Sequence, residues 1–307
     1  MADWDADVVV DEALVSSLLG AQFPELDASA ARLLAEGWDY SVWAVEERWA
    51  FRFPRREVAI PGVEREIDVL PRLAPLLAVP LPRPLFVGAP SARFPWPFFG
   101  ATLHPGVEPA EADLGDAQRT ELGAQLGRVL RSLHASETLA RVDPRGALPI
   151  DANRRADMRL RVRRARENLE ALDAHGLWRA PASLYGVLAS AEALGPPTAE
   201  PTLAHGDLHQ RNLLVDGGAL SAIIDWVDVC RADPCIDLVT FWSLLSRPGR
   251  ERFLEEYGDA TDEQLLRARV LAIGLDSMLA RYAHEVGNEP LLRETISGLE
   301  RARLDWS

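Results

Sequence analysis

The stretch Leu203–Trp226, LAHGDLHQRNLLVDGGALSAIIDW, decides how this chain folds and what chemistry it carries. A short apolar strand runs from Thr202 to Ala204. A polar loop follows, holding His205, Asp207, His209 and Asn212. Two apolar runs, Asn212–Val215 and Ser221–Ile224, flank Asp216-Gly217-Gly218, a hairpin turn whose glycines supply the backbone freedom that such turns demand. The hairpin delivers Asp225 to the end of its second strand. Asp207, Asn212 and Asp225 thus emerge at one edge of a small sheet. Carboxylate and amide oxygens are the donors that hard Mg²⁺ takes, together with nucleotide phosphates. A further carboxylate nearby can accept a proton from an attacking hydroxyl.

Any one of these three residues, taken alone, reads as a turn or cap. Together they have the layout of kinase phosphoryl transfer: an Asp, an Asn five residues later and a metal-binding Asp on the next hairpin. The segment, with "RFPRR" at 52–56 and "DPCIDL" at 233–238, resembles the aminoglycoside phosphotransferase family of small-molecule kinases, over about residues 30 to 285. The resemblance implies an α+β, protein-kinase-like bilobal fold. It has a small antiparallel-sheet amino lobe, a mostly helical carboxy lobe and ATP in the cleft. By that resemblance Asp207 is the catalytic base, Asn212 and Asp225 are the Mg²⁺ ligands, and His205 and Asp237 brace the loop. Arg52 grips the nucleotide phosphates, with Glu66 on the following helix as its partner. Ala50, on the same strand face as Arg52, lines the adenine pocket. Gly37–Ser41 covers the phosphates, and Ala101–His104, including Thr102 and His104, is the hinge that offers backbone groups to adenine.

The implied reaction moves the γ-phosphoryl group of ATP or GTP to a hydroxyl of a small molecule. The acceptor is an aminoglycoside or macrolide antibiotic, or a metabolite of the choline, sugar or homoserine type. A nucleotide-binding protein without transfer activity is the alternative, motivated by Arg52 at the lysine position and a single glycine in the covering loop. Only eleven residues separate Asp225 from Asp237, which leaves no room for a phosphorylated activation loop and argues against a protein kinase. A zinc site on His205 and His209 leaves the following Asn, hairpin and Asp unexplained.

Outward from this segment, the amino-terminal third mixes helix and strand patterns. Asp11–Leu19 and Ala28–Ala35 read as short helices. Tyr40–Val45 and Trp49–Phe53 read as strands joined by Glu46-Glu47-Arg48, with Trp49, Phe51 and Phe53 on one face and Ala50 and Arg52 on the other. Val63–Leu77 has helical spacing, interrupted by Pro71. The proline-dense stretch from Pro80 to Pro109 suits extended connections. We place the lobe boundary there, giving a nucleotide-binding lobe over 1–103 and a lobe over 104–307 with the catalytic loop, metal site and substrate pocket. Beyond it, Asp116–Ser136, Asn153–Ala174 and Ala182–Ala193 read as helices, as does most of 236–304, with breaks at Pro248-Gly249, Gly258 and Gly287-Asn288.

Composition bounds the function. The 307 residues carry 33 basic against 47 acidic side chains, a net charge of −14, which argues against nucleic acid as a partner. Every basic residue is arginine. Schiff-base chemistry and a Walker loop, which need lysine, are excluded. No run of apolar residues is long enough to span a membrane. Asp3, Asp5, Asp7, Asp11 and Glu12 give the start of the chain no signal-peptide character. Cys230 and Cys235 read as buried small hydrophobes, and a reducing cytoplasm fits them. His134 reads as a buried structural histidine, and Trp226 and Trp242 as core. The arginines between 154 and 166 read as a solvated or ion-paired face. The acidic run from Glu251 to Glu263 reads likewise, or else as attraction for a cationic substrate. The expected partner is a small molecule, cationic or polar, with a free hydroxyl.

Overall fold

The computed structural model describes residues 6–304, so Asp3 and Asp5 lie outside the described residues. The chain divides into two compact units, one of residues up to Pro75 with Pro80–His104, the other of Leu76–Val79 with everything from Pro105 on.

The first unit is a five-stranded antiparallel sheet. Its strands are β1 (Arg32–Glu36), β2 (Tyr40–Val45), β3 (Trp49–Pro54), β4 (Phe86–Gly88) and β5 (Phe98–Thr102), in the order β1-β2-β3-β5-β4. Glu46 and Glu47 take positive φ of 56° and 49° to make the tight β2–β3 turn. The alternation in β3 sorts its side chains as the sequence dictates. Phe51 and Phe53 are fully buried on one face. They pack with Phe94, Phe98 and the apolar residues Val15, Leu18 and Leu19 of α1 (Glu12–Gln22). The Phe53 and Phe98 rings stack 4.6 Å apart. Each such burial is worth roughly 1.5–3 kcal/mol, which fixes the sheet's register. Ala50 and Arg52 lie on the other face, where Phe99 and Ala101 of β5 meet Val63 of α2 (Ile60–Leu73).

Two expectations change here. Ala28–Ala35 is not a helix but a single turn, Ala28–Ala30, followed by the edge strand β1. Its Ala, Leu and Arg residues are good helix formers, and pairing with β2 overrides that weak preference. Helix α2 starts earlier than its apolar spacing indicates, with Pro at its first turn. It ends at Leu73, two residues after Pro71.

The second unit is mostly helical. Its helices are α3 (Asp116–Leu133), α4 (Ser136–Val142), α5 (Met158–Ala174), α6 (Ala182–Glu192), α7 (Val239–Ser243), α8 (Arg247–Tyr257), α9 (Asp262–Glu285) and α10 (Glu289–Arg303). Pro248-Gly249 lies in the first turn of α8. Gly249 has no Cβ because one would sit 2.7 Å from the Arg119 carbonyl, so α8 closes directly onto α3. Two short ribbons complete the unit. In one, β7 (Leu213–Asp216) pairs with β8 (Ala219–Ile223) as the hairpin reading requires. In the other, β6 (Thr202–Ala204) pairs with β9 (Cys230–Ala232), a strand too short and too mixed to show in the sequence pattern. Among the described residues no helix is long and apolar enough to cross a membrane.

Candidate active site

The loop between β6 and β7 is held by a fully buried carboxylate. Asp237 Oδ2 accepts the His205 amide at 2.7 Å and Oδ1 accepts the Gly206 amide at 3.0 Å. His134 Nε2 lies 3.2 Å from Oδ2, and its Nδ1 lies 2.9 Å from the Tyr257 hydroxyl. With Nε2–H donating to the carboxylate, Nδ1 accepts from Tyr257, and a chain of side chains supports the loop from below. Gly206 has a φ of 85°, and a Cβ there would lie 2.2 Å from the Asp228 carbonyl. No other residue fits this position.

His205 ties the loop to the hairpin. Its Nδ1 accepts the Asp207 amide at 3.2 Å, which leaves the proton on Nε2, and Nε2 donates to the Ile224 carbonyl at 3.0 Å. Its ring packs 4.4 Å from that of Trp226, which is wholly buried and belongs to the core. His205 and Asp237 therefore sit where loop-bracing groups belong.

Asp207 lies between two basic groups. Arg155 reaches Oδ1 at 2.8 Å, and His209 Nε2 stands 3.6 Å from Oδ2. His209 Nδ1 accepts the Arg211 amide at 3.2 Å, so the proton resides on Nε2, facing the carboxylate. Burial alone would raise the Asp207 carboxyl. His209 and Arg155 outweigh it, and the carboxyl is held well below the usual carboxylate range. Such a group is a weak base. A carboxylate of this kind can serve a hydroxyl chiefly by orienting it, which is what a loose phosphoryl-transfer transition state would ask.

Asn212 is buried, and its amide nitrogen donates to the Asp207 carbonyl at 2.9 Å. Its backbone carbonyl accepts the Ile224 amide at 3.0 Å, which places Asn212 beside the residue preceding Asp225. Asp225 has a φ of 63°. A non-glycine residue in that region costs of order 1 kcal/mol and marks a place where position matters more than comfort. The side-chain oxygens of Asn212 and Asp225 are the hard donors that the sequence brings to this end of the hairpin. That donor set fits Mg²⁺. Among the described residues no cluster of three or more His, Cys, Asp or Glu side chains is placed to hold a metal ion.

In the first unit, Arg52 Nη1 contacts Glu66 Oε1 at 3.1 Å, with the Glu66 side chain fully buried. The guanidinium lies over the Tyr40 ring, 3.9 Å from its centre. Ala50 pairs with Ala101 across β3 and β5, so both share the Arg52 face. Ser41 does not. It pairs with Phe53 on the opposite face, is fully buried and accepts the Trp43 indole N–H at 3.2 Å. Its side chain is therefore turned away from any phosphate at Arg52. The Gly37 amide and carbonyl are spent on Tyr40 (2.8 Å) and Arg55 (2.6 Å). Thr102 is exposed, the Leu103 amide donates to Arg48 at 2.8 Å, and His104 Nε2 lies 3.0 Å from the Leu81 carbonyl.

Arg155 is the residue that sequence reasoning missed. It bridges Asp207 and Asp228, the latter at 2.7 Å. The aiming device is the turn before α5. Asp151 accepts the amides of Arg155 (2.7 Å) and Ala156 (2.9 Å), and Asp151 and Arg154 both take positive φ. The signal was the Asp/Asn-rich turn preceding a helix, hidden inside a run of arginines. The glutamates of the acidic run are ion-paired on the helix surface, Glu251 with Arg247 at 3.5 Å. Arg252 meets Glu255 and Glu256, Arg128 meets Glu256, and Arg267 meets Glu263 at 2.6 Å. Cys230 and Cys235 are buried and free, and burial pushes the Cys230 thiol up to about 12.

A family model described as the phosphotransferase enzyme family matches residues 30–271. The fold is similar to that of wild-type aminoglycoside 2'-phosphotransferase-IIIa in its GDP complex, with a TM-score of 0.68, 20% identity and coverage of 96% of this chain and 99% of that one. It is also similar to the GDP and kanamycin complex of APH(2")-IIia (TM-score 0.66, 22% identity, 94% and 97% covered). A third is the macrolide 2'-phosphotransferase MphH of Brachybacterium faecium (TM-score 0.62, 21% identity, 94% and 98% covered). A 60-residue stretch is 35% identical to the uncharacterised protein YcbJ of Bacillus subtilis (strain 168). That match spans 19% of this chain and a fifth of the relative's length.

Proposed function

We propose, for a chain that belongs to the phosphotransferase enzyme family, that it transfers the γ-phosphoryl group of ATP or GTP to a hydroxyl of a small molecule. Family and fold make it a small-molecule kinase; the residue roles that follow are our reading. Asp207 receives and orients the acceptor hydroxyl and takes its proton as the bond forms. Arg155 and His209 fix that carboxylate, and Asp237, His205 and Gly206 fix the loop that carries it. Asn212 and Asp225 would hold Mg²⁺, whose charge offsets that of the phosphates. Arg52, steadied by Glu66 and Tyr40, grips the phosphates. Ala50 borders adenine, and the backbone of Gly37–Ser41 and of Thr102–His104 supplies what those segments contribute. A cytoplasmic location goes with a nucleotide donor, and the two free thiols support that part of the reading.

The observation that supports this reading most is the Asp207–Asn212–Asp225 constellation. One buried carboxylate, Asp237, holds the loop under it, and Asp225 takes a left-handed backbone at the end of the hairpin. The test is label transfer from γ-labelled ATP and GTP, with Mg²⁺, to a panel of aminoglycosides, macrolides, cellular amines, sugars, alcohols and hydroxy acids, read by product mass. Transfer, together with slow hydrolysis that is lost in Asp207→Asn, is the expected result. Nucleotide binding with no transfer to any compound, and hydrolysis equal in wild type and Asp207→Asn, would make the chain a binder.

A further inference from the structure

The second unit contains a cavity of about 310 Å³ beside Asp207, at the small end for ligand sites. Part of its lining is apolar, from Val270, Leu271, Leu275 and Met278 of α9. Another part is strongly basic, from Arg155, Arg161 and Arg164 in and just before α5, with Asp207 and His209 between. Arg161 and Arg164 are one helical turn apart and share a face. The two walls are tied together, since Asn168 of α5 donates to the Gly274 carbonyl of α9 at 3.1 Å.

The three arginines are not equivalent. Arg155 is matched by Asp207 and Asp228. Arg161 is half-buried, and its guanidinium donates to the backbone carbonyls of Arg154, at 3.0 Å, and of Asn153. Carbonyls hold a guanidinium in place but cancel no charge. Among the described residues, neither Arg161 nor Arg164 has a carboxylate within 4.0 Å. Burial, and after it the charges of Arg155 and Arg164, bring the Arg161 group down to about 10. It stays protonated at neutral pH in surroundings that an anion would relieve. The basicity is local: the chain as a whole carries a net charge of −14, yet beside Asp207 two arginines stand without a carboxylate in contact, Arg161 feeling Asp151 and Asp157 only at longer range.

Resting on the phosphoryl-transfer reading above, we infer that the acceptor is a compact hydroxyl compound with an apolar body and one anionic group, a carboxylate or a phosphate, which Arg161 and Arg164 bind while Asp207 receives the hydroxyl. The guanidinium fork matches either anion. Amine-rich acceptors meet like charge at this wall and are selected against.

The test uses the intact chain and four probes that share a skeleton: 3-phenyllactate, its neutral amide, the corresponding amino alcohol and the corresponding diol monophosphate. Titration reads binding, and labelled ATP or GTP with Mg²⁺ reads transfer. The carboxylate or the phosphate probe is expected to bind at least ~10-fold more tightly than the amide, with the amine weakest. Which anion leads tells the two chemistries apart. Arg164→Glu, on an exposed helix face where the change leaves the fold intact, is expected to abolish the preference, as is Arg161→Gln. Amine binding as tight as that of the anions, or a preference unmoved by Arg164→Glu, overturns the inference. Label passing to cationic and not to anionic compounds overturns it while sparing the transfer reading. Anion-selective binding with no label passed to any hydroxyl compound overturns the transfer reading and leaves the anion site standing.

Discussion

Arg155→Gln tests the electrostatic design of the site. The guanidinium stands between Asp207 at 2.8 Å and Asp228 at 2.7 Å. With charge centres ~4 Å apart and an effective dielectric near 20, each pair contributes about 4 kcal/mol before costs. The three side chains retain 21%, 29% and 25% of their exposure, so solvent screens part of this, and desolvation of the guanidinium offsets more. The net loss expected at pH 7 is about 2 kcal/mol. The pH dependence follows from Asp207. Its folded-state carboxyl titrates below the ordinary value of about 3.9. The stabilisation is therefore present in full above that value and is lost as the pH falls through the lower, folded-state value. Without Arg155 the folded-state value moves back towards the ordinary one. The gap between wild type and variant then stays constant down to the variant's own folded-state value, which His209 still holds below the ordinary one, and narrows only beneath it. Urea titrations at steps from pH 7 to pH 3 measure it. A loss under about 0.5 kcal/mol, the worth of an ordinary surface pair, or a gap that closes already between pH 7 and pH 5, would refute the reasoning. Because Arg155 acts through Asp207, kcat should fall by roughly 10-fold with the nucleotide KM little changed, and Arg155→Lys should recover part of the loss.

Asp207→Asn should lower turnover by at least ~10²-fold while nucleotide binding persists, as paired kinetic and titration measurements will show; near-wild-type turnover would remove Asp207 from the reaction. Asp225→Ala should lose the Mg²⁺-dependent gain in nucleotide affinity, and a gain of full size in the variant excludes the residue as a ligand. Arg52→Ala should raise the nucleotide KM and lower kcat with the fold intact by circular dichroism, while Arg52→Lys keeps part of the activity; two silent substitutions would make Arg52 a surface residue. Gly206→Ala forces a Cβ to 2.2 Å from a carbonyl oxygen and should cost more than about 2 kcal/mol in urea, with activity lost before stability; a neutral effect would contradict the close approach.

The sequence exposed what depends on short-range order. The β6–loop–hairpin segment is consecutive, so strand alternation and turn chemistry alone bring Asn212 next to the residue before Asp225. The phase of β3 puts Arg52 and Phe51 on opposite faces for the same reason. What it hid depends on contacts distant in the chain. Arg155 is one of several arginines whose spacing is uninformative until the Asp151 turn aims it at a loop some fifty residues later. β1 reads as helix because its propensities favour helix and only pairing with β2 decides otherwise. Ser41 was assigned by its place in a loop, but that place is already the first inward position of β2. The acidic run suggested a cationic partner because sequence cannot show that arginines on the same and neighbouring helices already answer its glutamates.

On the proposed reading, a chain without lysine grips phosphates with the planar group of Arg52, and the first unit holds that group on several sides. An ammonium is a point charge that needs only a partner. A guanidinium must also be held in a plane if its fork is to meet an oxyanion. The Tyr40 ring, 3.9 Å away, sets that plane, and Glu66 at 3.1 Å sets the rotation within it. Tyr40 is fixed in turn, its hydroxyl donating to the Ala59 carbonyl at 2.8 Å. Ala59 leads into α2, the helix that carries Glu66. Contacts from β2, β3 and α2 thus converge on one guanidinium. On that reading, the arginine at this position comes with an orienting aromatic ring, and the held guanidinium is ready to meet an oxyanion in its plane.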